Sequence, residues 1–397
     1  MSERFGSVVL PELALHSGKV LKQVRVAYSV NGTPRPDGSN VVVLCHALTG
    51  SHHVAGEPVS DLPDAWWDPL VRPGGVLDTD KLCIVCCNNI CSPYGSSAPT
   101  DIEPGTRRPW GMRFPLIDPR DIARSQKMAL DALGIERVAG VIGGSLGGMI
   151  ALEWMAQFGA AMNFGISIAA PLRLYPQAIA FNGVQRRAIT SDPEWLEGDY
   201  CPGRGPVNGL FNARMLAMIT YRSEESFVRR HMRASRNIDE WGGRFDVESY
   251  LMHQGKLLTR RFDPNCYLYL TKMMDLHDLA KGYGDAEAAL ESLRKKPFLA
   301  VGINSDILFP PWQVQEVVEA ALDVGAYASY RELRSDIGHD AFLVETDQLS
   351  EIFKAFFDSI GFYDALSSPQ SESRRTRLSR GKTHPLHAFK ARPSYGR

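Results

Sequence analysis

Three observations predict an α/β chain with a mostly parallel central sheet, helices on both faces and a helical lid. Apolar runs recur along the 397 residues with helical stretches between them. That alternation lapses between about Pro171 and Arg294. A glycine-flanked serine, Ser145, joins one apolar run to a helical stretch. Strands buried on both faces read as continuous apolar runs, and strands alternating with helices imply a covered parallel sheet.

In chain order, Val24 to Tyr28 alternates as a half-buried strand does. Val41 to Cys45 and Leu82 to Cys86 are continuous apolar runs, and Asp121 to Leu130 has a helical pattern. Val138 to Ile142 is a further apolar run and leads through Ser145 into a helix from Gly148 to Met155. Ile166 to Ala170, Pro297 to Gly302 and Ser329 to Leu333 extend the strand series. Where strand signal lapses, Met215 to Tyr221, Glu225 to Arg230 and Tyr269 to Leu279 read as helices. The expected organisation is a core of residues 1–172 and 292–362, a helical lid of residues 173–291, and a basic, disordered tail of residues 363–397.

Gly143-Gly144-Ser145-Leu146-Gly147 is the most informative stretch. A G-x-S-x-G sequence between a strand and a helix is the nucleophile elbow of α/β-hydrolase folds. Small neighbours permit the tight turn that lifts the serine hydroxyl above the sheet. Phosphate-cradling loops also place glycines at such junctions. They require a lysine after the last glycine or a G-x-G-x-x-G run, and this stretch has neither.

A serine hydroxyl attacks only when a base takes its proton and a third group orients that base. In this fold class the acid and then the histidine follow the serine along the chain. Asp306 comes just after the Pro297–Gly302 run, and His339 follows the Ser329–Leu333 run. Ser145, His339 and Asp306 are therefore expected as nucleophile, base and orienting acid. The oxyanion donors are expected at the backbone N–H of Leu146 and, in the loop after Val41–Cys45, at that of Leu48. His46 is expected to be structural, and His52 and His53 to be loop or pocket-wall residues.

Composition narrows the class further. No apolar run reaches the roughly 18 residues that span a bilayer, and Met1 to Phe5 lacks an apolar leader core. A cytoplasmic protein without a membrane partner is expected. Seven dispersed cysteines then argue for reduced thiols. Cys83, Cys86, Cys87 and Cys91 lie close together, but most of them sit in an apolar strand and no second pair stands at ligand spacing, so no metal site is expected. Formal charge is −1 overall, yet the tail holds Arg374, Arg375, Arg377, Arg380, Lys382, Lys390, Arg392 and Arg397 against Glu372. The body is left mildly acidic, which argues against nucleic acid as a specific partner.

Several motifs together resemble one family. They are His46-Ala47-Leu48-Thr49-Gly50, Leu77-Asp78-Thr79-Asp80, Asn88-Asn89, Gly143 to Met149, Asn212 to Ser223, Val247 to Leu251, and Gly338-His339-Asp340. They resemble the homoserine O-acyltransferases of the α/β-hydrolase superfamily, in family order over roughly residues 5–362. Cys91 to Ser97 is more similar to the branch with fungal members and some serine acyltransferases. Ile150 stands where the family usually has Gln, and Ile337 where an Asp often precedes the glycine of the histidine motif.

The resemblance implies acyl transfer from an acyl-coenzyme A to the hydroxyl of homoserine by a ping-pong route. No bound cofactor is implied, since acetyl-coenzyme A or succinyl-coenzyme A is a co-substrate. By the same resemblance Arg214 pairs with the acceptor carboxylate, Tyr221 lines that pocket, and Asp340 meets the acceptor ammonium. A homodimer through the lid helices is also expected. An ordinary amphipathic helix would account for Arg214 and Tyr221 without the resemblance. The His46–Gly50 motif resembles acetyl-using members, while His52 to Gly56 also occurs in succinyl-using ones. Acetyl transfer is the expected reading. A homoserine O-succinyltransferase, a serine O-acetyl- or O-succinyltransferase, an esterase using the same triad on water, and a binding protein without chemistry are the alternatives.

Overall fold

The computed structural model of the chain describes residues 3–201 and 203–367. Eight strands form its main sheet. They are β1 (Arg4–Ala14), β2 (Val20–Asn31), β3 (Val41–Cys45), β4 (Cys83–Cys87), β5 (Val138–Gly144), β6 (Met162–Ile168), β7 (Pro297–Ile303) and β8 (Tyr327–Leu333). Their order across the sheet is β1-β2-β4-β3-β5-β6-β7-β8. The strands from β4 to β8 run parallel, whereas β1 pairs with β2 and β2 with β4 in antiparallel register.

β3, β4 and β5 are buried along their whole length, and alternate side chains serve two cores. Val41, Val43 and Cys45 of β3 join one apolar cluster, and Val42 and Leu44 join the other. In β4, Cys83 and Cys87 face the first cluster and Cys86 the second, so the thiols act as small apolar packing groups. Burial pushes the Cys83 and Cys87 thiols up to about 12. Among the described residues no group of three or more metal-ligating side chains gathers.

Helices cover both faces. The first core packs α1 (Pro119–Ala132) and α2 (Leu146–Phe158) side by side. Asp118 starts α1 with a capping box, its carboxylate accepting from the Asp121 N–H at 3.0 Å. Arg120 of α1 meets Glu153 of α2 in a two-pronged ion pair at 3.0 and 3.3 Å, with both side chains buried.

Between β6 and β7 the chain forms α3 (Pro176–Thr190), α4 (Val207–Tyr221), α5 (Glu224–His231), α6 (Asp246–Thr259) and α7 (Pro264–Asp275). Within this lid, α4 packs against α3, α6 and α7. The next helix, α8 (Ala286–Leu290), packs on α2 and α9 (Pro311–Asp323), so the chain has returned to the core before residue 292.

The second core is closed by α10 (Ala341–Val344), α11 (Thr346–Ser359) and α12 (Phe362–Ser367). Phe164 of β6 contacts Phe356, Phe357 and Phe362 edge to face. The tail boundary expected at residue 363 thus falls inside a packed helix. Leu366 is buried, its carbonyl accepts from Arg35, and the Tyr363 hydroxyl donates to the Val76 carbonyl at 2.6 Å. Residues 368–397, with the basic side chains noted above, lie outside the described residues. No helix among the described residues is long and apolar enough to cross a membrane.

Candidate active site

Ser145 sits between β5 and α2 with φ 58° and ψ −124°, a backbone conformation that side chains rarely adopt. Close packing around it explains the glycines. A Cβ on Gly143 would lie 2.0 Å from the Gly147 carbonyl oxygen, and one on Gly147 would lie 2.0 Å from that of Cys45. The start of α2 therefore rests directly on the end of β3. The Ser145 N–H is held by the Ile168 carbonyl at 2.9 Å, which fixes the turn against β6.

Three expected residues meet there. The Ser145 hydroxyl donates to His339 Nε2 at 2.8 Å, and His339 Nδ1 donates to Asp306 Oδ2 at 2.6 Å. Asp306 Oδ1 accepts from the Leu308 and Phe309 N–H groups at 2.8 and 2.9 Å, so both of its oxygens are committed. Phe309 and Phe342 flank the imidazole with their rings edge-on. Burial alone would lower the His339 pKa; the Asp306 carboxylate and its hydrogen bond, with Asp340 further off, outweigh that and raise it. This geometry can take a proton from Ser145 and hold the resulting imidazolium.

The expected oxyanion donors come from two segments. Leu146 opens α2, where the first N–H groups have no acceptor within the helix. Leu48 lies in the turn just after β3, closed by the Gly50 N–H donating to the Ala47 carbonyl at 3.1 Å. Arg261, from the segment between α6 and α7, donates to the Thr49 carbonyl at 2.9 Å and so ties the lid to this turn. His46, His52 and His53 are all buried. Burial lowers the His52 pKa to about 3, which keeps that ring neutral.

The lid brings the remaining candidates to the same place. The Tyr221 ring lies 5.9 Å from the His339 ring, centre to centre, and the Arg214 guanidinium stands 5.5 Å from the Tyr221 ring. Arg214 Nε is buried and has no hydrogen-bond partner among the described residues. Burial pushes the Tyr221 phenol up to about 12, with Arg214 opposing and Asp340 reinforcing the shift. The Asp340 N–H donates to the Tyr221 carbonyl at 3.2 Å.

Two charged groups were not foreseen. Arg222 pairs with Asp340 at 3.4 Å, and Arg261 reaches Thr49 and the Tyr94 hydroxyl. Both follow helical stretches whose sequence pattern marks them only as polar positions. A tyrosine and arginine at the end of α4 facing a Gly-His-Asp turn would have been the signal for the first.

Sheet order, elbow and the Ser145–His339–Asp306 line define an α/β-hydrolase-fold protein. A family model described as the alpha/beta hydrolase fold matches residues 40–346. A homoserine O-acetyltransferase of Symbiobacterium thermophilum is 45% identical over 90% of this chain and 95% of its own. A homoserine O-acetyltransferase of Moorella thermoacetica is 44% identical over 88% of this chain and 94% of its own. The chain belongs to the homoserine O-acetyltransferase family. Among solved structures, a homoserine O-acetyltransferase from Bacillus anthracis superposes with a TM-score of 0.84 at 25% identity, covering 90% of this chain and 98% of that one. Esterase E22 superposes with a TM-score of 0.82, also at 25% identity, covering 89% and 99%.

Proposed function

We propose that the protein transfers the acetyl group of acetyl-coenzyme A to the hydroxyl of L-homoserine, a step toward methionine, through an acyl-serine intermediate. The observation that carries this reading is the hydrogen-bonded line Ser145–His339–Asp306 at the elbow, with Tyr221 of the lid beside the imidazole and Arg214 against the Tyr221 ring. Kinship with homoserine O-acetyltransferases at 45% identity supports the donor and the acceptor.

In the first half-reaction His339 takes the hydroxyl proton as Ser145 Oγ adds to the thioester carbonyl. The oxyanion is held by the N–H groups of Leu146 and Leu48. The C–S bond then breaks, and the thiolate leaves with the proton from His339. In the second half-reaction the acceptor hydroxyl gives its proton to His339 and attacks the acyl carbon. Ser145 Oγ leaves and recovers that proton. Arg214, with an uncommitted Nε–H, holds the acceptor carboxylate, and Asp340 holds its ammonium. The working unit is a cytoplasmic homodimer joined through the lid helices, which light scattering tests.

The likeness to an esterase gives water a specific claim as the acceptor. Thiol release separates the two readings. With acetyl-coenzyme A alone, about one thiol per site is expected in a burst, followed by slow turnover. Homoserine should restart rapid release, with parallel double-reciprocal lines. Fast steady release without amino acid would establish an esterase. Rapid release with serine and not homoserine, or with succinyl-coenzyme A and not the acetyl thioester, would replace the substrates and keep the mechanism.

A further inference from the structure

His46, the residue after β3, is fully buried and makes two directed hydrogen bonds. The Asn89 backbone N–H donates to its Nε2 at 3.0 Å. That nitrogen therefore offers a lone pair, and the ring proton sits on Nδ1. Nδ1–H donates to the Ala47 carbonyl at 2.9 Å. The Ala47 carbonyl and the Leu48 N–H are the two ends of one planar trans peptide, so they point in opposite directions. A donor fixed on the carbonyl side thus sets where the N–H side points. The Gly50 N–H reaches the same oxygen at 3.1 Å, and two donors on one carbonyl polarise the peptide and strengthen its N–H.

We propose that His46, as the neutral Nδ1–H tautomer, is a positioning residue that aims and polarises the Leu48 N–H toward the acyl oxyanion. The inference rests on the reading of Leu48 as an oxyanion donor. Its support continues behind the ring. The Asn89 side-chain oxygen accepts from Gln126 at 3.4 Å, and the Gln126 oxygen accepts from the Trp154 indole at 2.8 Å. Trp154 belongs to α2, the helix that Leu146 opens. One buried chain of hydrogen bonds therefore links the segments carrying both donors. Burial lowers the His46 pKa to about 4, only partly opposed by the bond to Ala47, so the required tautomer stays uncharged near neutrality.

The two bonds can be separated by substitution. Asparagine carries an N–H at the δ position and keeps a donor for Ala47 while losing the contact to Asn89. Glutamine reaches the ε position and does the reverse. The rate of the thiol-release burst with acetyl-coenzyme A is measured for each variant beside its Tm. Losing an oxyanion donor outright slows turnover about 10²- to 10³-fold, so H46A and H46Q should be slower by at least about tenfold. H46N should recover most of the rate at a Tm no higher than that of H46Q, with KM for the thioester unchanged in all three. Equal burst rates for the asparagine and glutamine variants, or a faster glutamine variant, would overturn the proposal. So would failure of both to fold, which would assign His46 to stability alone. L48P tests the underlying reading, since proline fits the second position of a turn and lacks the N–H. A slow L48P beside fast His46 variants removes the role of His46 and keeps Leu48. A fast L48P removes both.

Discussion

Asp306 has no spare oxygen. One accepts from two backbone N–H groups and the other from His339. Asparagine can satisfy only one side. With its oxygen toward Leu308 and Phe309, its amide N–H faces Nδ1 and forces the tautomer that cannot take the serine proton. D306N is therefore expected to lower kcat by about 10³- to 10⁴-fold without unfolding the protein, checked by burst kinetics and circular dichroism. The pH dependence follows from the same contact. The base must be neutral, and its pKa lies above the ordinary 6.5, so the acylation rate should rise with pH along a limb placed above that value. With Asp306 neutralised, burial is opposed only by Asp340 and the residual limb should move to lower pH. A limb that stays in place would assign the shift to another group.

Arg214 is tested at the same scale. R214A should raise KM for homoserine by one to two orders of magnitude, as loss of a charge-assisted contact does. KM for acetyl-coenzyme A should change little. Equal changes in both constants would take Arg214 out of the acceptor pocket. That Ser145, Asp306 and His339 come together was legible in the sequence because order, spacing and strand ends agreed. The Arg222–Asp340 pair was not, because the partners come together only when the end of α4 folds over the Gly338 turn.

Among elements, the contact between α1 and α2 depends on Arg120 and Glu153. Their side chains are only 8% and 3% exposed, and Arg120 also donates to the Lys281 and Leu279 carbonyls. Burial raises the Glu153 pKa to about 7 even though Arg120 opposes the shift. R120A leaves that carboxyl buried and alone, and should cost about 3–5 kcal/mol in urea unfolding near neutral pH. Pairing R120M with E153L should restore most of the loss, because an apolar pair of similar volume avoids the desolvation penalty.

Strand assignments show where pattern reading stops. The central strands were legible because burial on both faces leaves only apolar residues. β1 was not foreseen. It is an edge strand with several exposed side chains and carries Pro11, which an edge tolerates and an interior strand does not. β6 was expected at Ile166 to Ala170 but runs from Met162 to Ile168. Ala169 has φ 45° and turns the chain away, a change that two alanines do not announce.

At the scale of the molecule, the helices between β6 and β7 meet the core around His339, where Tyr221 of α4 lies beside the imidazole. The run of helices between β6 and β7 was visible as a lapse in strand signal, but the return to the core at α8 and the packing of α12 were not. Both are short helices identified by what they touch. Removing residues from Phe362 onward takes away two buried side chains, Phe362 and Leu366, and the Arg35 and Tyr363 contacts. Such a truncation should destabilise the protein by about 3 kcal/mol or more, since deleting one large buried side chain alone costs that much. Unchanged thermal melting would show that α12 adds nothing to the second core.

The turn at Ser145 also sets a conflict between working and lasting. Its φ of 58° with ψ −124° is a conformation that costs a non-glycine residue about 1–3 kcal/mol. Alanine and glycine at this position both discard the hydroxyl and its bond to His339, so they differ mainly in backbone freedom. Glycine ordinarily destabilises a protein by about 0.5–1 kcal/mol relative to alanine through unfolded-state entropy. Here the order should invert, and S145G should melt higher than S145A, with both expected to be inactive. Selection for heat tolerance alone would therefore favour glycine here, at the expense of the hydroxyl. A higher melting point for S145A would show that the turn holds serine without strain.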